Sequence, residues 1–261
     1  MNFSQSEKDF FEEAEKYVPS ENKKIIESEE ELRSILDARV GDETIDLHEA
    51  IIKNLNLSKW DMHNLNLRRA SFYECNLNST DFTGSMMDHL AFYDCDIRNA
   101  KMNNCKLRGA SFRGNDMEGI DLCGANIYAA VLEDAINQDK VIYNEETRWY
   151  EMSCPTEGPF IAWKCCTELR VVMMLVPADA KRCMATMETG RVSKVKVLSI
   201  KSIDETKSYD WAQSTVDPDF YYEVGKWLEP ANGFQENRWK DSSEGIHFFL
   251  SRQQCVDYQA K

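Results

Sequence analysis

Eighteen large apolar residues fall at every fifth position from Leu47 to Leu132, and this spacing excludes most of what a polypeptide can form. A helix repeats near 3.6 residues and a strand at 2.0, so neither holds a period of five on one face. The series is Leu47, Ile52, Leu57, Met62, Leu67, Phe72, Leu77, Phe82, Met87, Phe92, Ile97, Met102, Leu107, Phe112, Met117, Leu122, Ile127 and Leu132. Two positions before the large residue stands a mostly small or apolar one, such as Ala50, Ala70, Cys75, Thr80, Ser85, Ala100 or Ala110. The residue between is Asp or Asn in ten of the eighteen, giving the pattern A(D/N)LXX. A stretch such as CNLNSTDFTGSMMDHLAFYDCDIRNA therefore has the composition of a disordered segment and the register of an ordered one.

Residues 45–134 resemble the pentapeptide-repeat family on this motif. The resemblance implies a right-handed, quadrilateral β-helix in which four pentapeptides make one coil, with the large residue and the small one before it both pointing inward. An internal check agrees, because like residues recur at a spacing of twenty: Phe72, Phe92 and Phe112 form one series, and Cys75 precedes Cys95 by one coil. Four and a half coils at about 4.8 Å each make a rod roughly 20 Å long. Gly109, Gly114, Gly119 and Gly124 share one corner position, where they relax a turn and do not form a phosphate loop.

Solenoid ends expose unpaired edges and need covers. Residues 1–44 carry 13 acidic and 6 basic residues and lie where an N-terminal helical cap belongs. Ser6 precedes an amphipathic run through Tyr17 that Pro19 ends, and Ser28 with Glu31 has capping-box spacing for a second helix stopping near Gly41. Trp60 occupies a small-residue slot of the first coil and is expected to fill the junction with that cap.

After Asp134 the register ends, and residues 135–261 are expected to form an α+β domain. Strands are predicted at Phe160–Cys166, Leu169–Val176, Val192–Ile200, Phe220–Leu228 and Ile246–Leu250, with Ser251 and Gln254 capping a final helix. The runs CPTEGPFIAWKCC, VPADAKRC, KVKVLSI, YYEVGKWL and GIHFFLSRQQCVDY are similar to those of an uncharacterised domain that follows pentapeptide repeats in bacterial and bacteriophage proteins. That resemblance implies no activity.

A net charge of −14 argues against a nucleic-acid binder, whose phosphate contacts need a basic surface. Mimicry of DNA by an acidic face, which some pentapeptide-repeat proteins use against a topoisomerase, is disfavoured in the repeats. Residues 45–134 hold 13 acidic against 9 basic residues, and Arg68, Arg69, Arg98, Lys101 and Arg108 interrupt any negative stripe. No run is apolar enough for a membrane span and the N-terminus lacks a signal peptide, so a cytoplasmic protein is expected, in a bacterium or an infected host cell. Nine cysteines without close pairing suit a reducing compartment, as buried thiols and not a disulfide framework. Cys154, Cys165, Cys166, Cys183, Cys255 and His247 lack metal-ligand spacing, so no metal and no cofactor is expected. Motifs for a serine nucleophile, a phosphate loop or a dinucleotide fold are absent, and no catalytic residue is assigned.

The expected function is that of a non-enzymatic binding protein, its solenoid acting as a rigid scaffold and partner surface. In the phage-like setting of the resemblance, the partner would be a host enzyme or defence protein that the chain inhibits. Lys53, Tyr73, Tyr93 and Arg113 fall in one outward column and are the candidate partner-binding residues. A second reading gives the C-terminal domain a nucleotide-like small molecule, held by Trp163, Lys164, Arg182, Trp227 and His247. A third rests on GIHFFL followed by Tyr258, which resembles a strand and helix of ADP-ribosyltransferases; the upstream histidine strand and catalytic Glu of that family are missing. A bare solenoid end would favour a homodimer.

Overall fold

The computed structural model describes residues 16–20 and 23–259. The chain is mainly β, with two short α-helices among the described residues. It divides into two compact units, Lys16–Glu151 and, among the described residues, Met152 onward. No helix among the described residues is long and apolar enough to cross a membrane. The first predicted N-terminal helix lies largely outside the described residues.

In the repeat unit nearly every strand pairing is parallel and joins residues twenty apart. Strands β2 (Ile45–Asp46) and β4 (Leu65–Asn66) begin one ladder, which continues through Met86, Lys106 and Asn126. Strands β3 (Ile51–Lys53), β5 (Ser71–Tyr73) and β6 (Ala91–Tyr93) begin a second, extended by Ser111 and Val131. Asn56, Asn76 and Asp96 share a third, and Asp61, Asp81, Lys101 and Asp121 a fourth.

The backbone explains the period of five. Every fifth residue from Glu49 to Asp134 has φ between +51° and +73°, so the chain bends at each one and four bends set residue i beside residue i+20. Most of these corners are not glycine; Lys59, Arg69 and Glu74 hold the left-handed conformation because the flanking ladder bonds over-determine it. The Asp/Asn preference has an equally local cause. All ten of these side chains accept a hydrogen bond from the backbone N–H two residues on, from Asp46 with His48 (3.1 Å) to Asn126 with Tyr128 (3.1 Å). This Asx geometry braces the corner that follows.

The large residues are the core: Leu57, Phe82, Met102 and Phe112 are fully buried. Phe72, Phe92 and Phe112 stack with centroids 5.7 and 5.6 Å apart. Small polar residues beside them bond downward, as when the Thr80 hydroxyl donates to the Leu57 carbonyl at 2.7 Å. The ladders outlast the five-residue register, since Asp116 pairs with Ile136, Asp121 with Ile142 and Asn126 with Arg148. A 3₁₀ turn at Gln138–Lys140 lengthens the layer, which hides the repeat in the sequence.

The N-terminal segment departs from the expected helical cap. Its described part holds one helix, α1 (Glu29–Asp37), whose Ser28 side chain accepts from the Glu31 N–H at 3.4 Å. The unpaired edge is met by a strand, β1 (Ile25–Ile26), which pairs in parallel with Ile51–Ile52. Ladder bonds satisfy an edge better than a helix can, which is the reason for the difference. Trp60 is half-buried, with the Arg33 guanidinium of α1 4.3 Å above its ring. Tyr17 and Ser20 both donate to the buried Glu49 carboxylate.

The second unit is built on a sheet of β7 (Phe160–Cys166), β8 (Arg170–Val176), β9 (Arg182–Met184), β10 (Thr189–Val192), β11 (Val195–Ser202), β12 (Ser208–Tyr209), β15 (Trp227–Leu228) and β16 (Ile246–Phe249). Their order is β12-β11-β8-β7-β16-β10-β9, with β15 also on β11, and every pairing is antiparallel. Strands β13 (Trp211–Gln213) and β14 (Tyr221–Glu223) form a separate pair. One sheet face buries Ala162, Cys166, Val172, Met174, Val197 and Phe248. The other holds Cys165, Val171, Phe249 and Cys255 beneath α2 (Arg252–Gln259). The capping box of α2 is reciprocal: the Gln254 N–H reaches the Ser251 hydroxyl at 3.2 Å, and the Ser251 N–H reaches the Gln254 side chain at 3.0 Å. One cysteine expectation is corrected. Cys165 and Cys255 are joined as a disulfide with Cα atoms 5.6 Å apart, because β7 and α2 bring together residues ninety apart in sequence.

Candidate functional site

Two sites hold residues singled out from the sequence. The first is the column on β3, β5 and β6, where register sets Lys53 beside Tyr73 and Tyr73 beside Tyr93. The two rings stack with centroids 4.6 Å apart at 12°, and they are 36% and 46% exposed. Stacked rings on a bonded ladder lose little entropy when a partner covers them. The flanking cations differ from expectation, since Lys53 lies 3.9 Å from Glu27 and Arg113 lies 2.6 Å from Glu133. The column is thus aromatic in the middle and ion-paired at both ends. Behind it, the Cys75 and Cys95 thiols donate to the Tyr73 and Tyr93 carbonyls, each at 3.3 Å.

The second site is a cleft of about 530 Å³ in the C-terminal unit. It opens where β16 leaves β7, because these strands share one pair, Phe249 with Trp163, whereas β7 pairs with β8 over seven residues. Lys164 and His247, both predicted, line it with Asp241, Tyr222 and Ser243. The Lys164 ammonium has no hydrogen-bond or ion-pair partner among the described residues, and burial lowers its pKa. The same cause, followed by the Lys164 charge, lowers that of His247, while burial raises Asp241. His247 Nε2 stands 3.1 Å from the Ser243 carbonyl. A carbonyl only accepts, so this nitrogen carries the proton and Nδ1 keeps its lone pair.

The other three predicted ligand residues lie elsewhere. Trp163 packs under α2. Arg182 donates to the carbonyls of Pro155, Gly158 and Pro177 and ties two loops together. Trp227 is half exposed on β15, with Lys194 5.1 Å from its ring. The expected base-stacking pocket of tryptophans is therefore not assembled, because aromatic content carries no information about which sheet edge each residue occupies. Asp241, Tyr222 and Ser243 escaped the sequence reading, since they sit in irregular segments or on β14 with no motif around them. Among the described residues, no group of three His, Cys, Asp or Glu side chains is placed to hold a metal.

Residues 45–122 match the family model described as a pentapeptide repeat region, and residues 150–255 match a family of unknown function (DUF5758). No curated protein matches the chain. Among solved structures, a pentapeptide repeat protein from the Arabidopsis thaliana thylakoid lumen is 21% identical with a TM-score of 0.31, covering 39% of this chain and 70% of that one. HetL, a pentapeptide repeat protein involved in heterocyst differentiation regulation in the cyanobacterium Nostoc sp. strain PCC 7120, is 20% identical with a TM-score of 0.25, covering 42% and 48%. QnrB1, a plasmid-mediated fluoroquinolone resistance protein, is 16% identical with a TM-score of 0.21, covering 44% and 59%. The motif, the twenty-residue ladders and the two family matches agree: residues 45–122 are a pentapeptide repeat region, and residues 150–255 belong to the family of unknown function DUF5758.

Proposed function

We propose that this chain is a non-enzymatic protein-binding molecule whose repeats, wound as a right-handed quadrilateral β-helix, are a rigid scaffold presenting Tyr73 and Tyr93 to a protein partner. The observation that carries this reading is the exposed, face-stacked tyrosine pair on a hydrogen-bonded ladder. Aromatic side chains held in one rotamer by stacking are the residues from which interface hot spots are made, each contributing about 2 kcal/mol or more when covered. The ion pairs Lys53–Glu27 and Arg113–Glu133 form a polar rim at either end, of the kind that fixes orientation more than affinity. Residues 135–261 are read as the second functional domain, and a second copy of the chain is the competing occupant of the column.

The test is affinity capture with the native chain and with the Tyr73→Ala/Tyr93→Ala double variant from the same cells. The reading expects a protein retained by the native chain and lost by the variant, with thermal stability nearly unchanged. Retention of every partner by the variant would assign recognition to another surface. Sedimentation of both proteins distinguishes self-association, which the same substitutions would abolish.

A further inference from the structure

The cleft between β7 and β16 holds an arrangement that a purely scaffolding domain does not need. Lys164 follows Ala162 on β7 and precedes Cys166, both buried in the core. Lys164 itself is half-buried on the cleft wall and has no carboxylate partner among the described residues. Asp217 and Glu244, two further carboxylates of the cleft wall, are exposed and form no ion pair with it among the described residues. Arg191, fully buried nearby, donates to the carbonyls of Gln235, Glu244 and Asn237 and lends Lys164 no counter-charge. An amine on a cleft wall with no ion-pair partner among the described residues is available for chemistry.

We propose that Lys164 is a nucleophilic amine that takes a small aldehyde or ketone from the cleft and holds it as an imine. The neutral Nζ attacks the carbonyl carbon, forming the C–N bond as the π pair moves to oxygen. One amine proton passes to His247 Nδ1, which returns it to the oxygen to give a neutral carbinolamine. That hydroxyl leaves as water with a proton from Asp241, and the nitrogen lone pair forms the C=N bond with the second amine proton still in place, so the product is a protonated imine beside the Asp241 carboxylate; no oxidant or reductant takes part. His247 and Asp241 are the proton carriers because they share the cleft with Lys164, and burial shifts each toward its uncharged form. The cleft volume of about 530 Å³ suits a small molecule and excludes a folded partner.

The test uses the full chain with glyoxylate, and separately with propanal, in the presence of cyanoborohydride at neutral pH, followed by peptide mass mapping. Reduction fixes any imine as a stable secondary amine. The proposal expects the peptide holding Lys164 to gain the adduct several-fold faster than those holding the exposed Lys207 and Lys226. It also expects Lys164→Arg to remove that adduct alone and His247→Gln to slow it. Labelling of Lys164 no faster than Lys207 in the native chain, which requires no variant to fold, would overturn the proposal.

Discussion

Replacing Phe92 with alanine, beside the same replacement of its neighbour Tyr93, separates an inward position of the repeat from an outward one. Phe92 is 2% exposed and lies between Phe72 and Phe112, 5.7 and 5.6 Å away. Truncating a buried Phe costs about 3–5 kcal/mol in transfer and cavity terms. The two lost ring contacts place Phe92→Ala toward the upper end of that range, since each contributes about 0.5–1.5 kcal/mol beyond area. Tyr93 is 46% exposed and has one ring partner, Tyr73 at 4.6 Å. Its truncation is expected to cost about 1 kcal/mol or less, the scale of a cross-strand pair. The difference of about 3 kcal/mol corresponds to more than a hundredfold in the opening equilibrium. Hydrogen exchange read by mass spectrometry on peptides of the repeat unit measures it without interference from the C-terminal unit. Equal costs at the two positions, or a cost under about 1 kcal/mol at Phe92, would refute the assignment of inward and outward residues.

Three further outcomes are expected. Gly84→Ala should destabilise the repeat unit by about 1 kcal/mol or more by urea denaturation, because Gly84 has φ +73° and an added Cβ would stand 2.6 Å from the Asn64 side-chain oxygen. Denaturing the chain without reductant and counting alkylated cysteines should give seven of nine, the two missing being Cys165 and Cys255; nine would contradict the disulfide. Acidification should release residues 16–20: hydrogen bonds from Ser20 and then Tyr17 lower Glu49 from 4.5 to about 2. A carboxyl lowered in the folded state contributes stability that is present above pH 4.5 and lost as pH falls toward 2. Exchange of the Ser20 amide, which donates to Glu49 at 3.0 Å, should therefore accelerate over that window, and exchange independent of pH after correction for intrinsic rates would contradict it.

The repeat architecture was legible because one local device, a bend every fifth residue, writes itself into the sequence eighteen times. The Asp and Asn residues were visible as a pattern, and their Asx bonds supply its cause. What could not be read were corners such as Lys59 and Arg69, whose left-handed φ is imposed by ladders and not by residue type. The last layer was hidden for a similar reason, since the turn at Gln138–Lys140 breaks the count while Asp121 still finds Ile142. In the C-terminal unit Phe160–Cys166 was read at its observed bounds, and the Ser251 cap was read from spacing. The predicted strand Phe220–Leu228 instead splits, with Tyr221–Glu223 pairing β13 and Trp227–Leu228 pairing β11. The strand Thr189–Val192 was missed because Gly190 makes its start read as a turn. That glycine is there so that Phe248 can cross it, its ring 2.5 Å from where a Cβ would stand. Of the candidate site residues, Lys164 and His247 meet in one cleft, while the tryptophans were proposed on composition, which does not encode sheet order.

Hydrogen exchange of the chain alone and in complex with a captured partner tests the central claim most directly. The account predicts new protection concentrated in the segments around Tyr73 and Tyr93. Protection that falls elsewhere and leaves both tyrosine segments unchanged would contradict it.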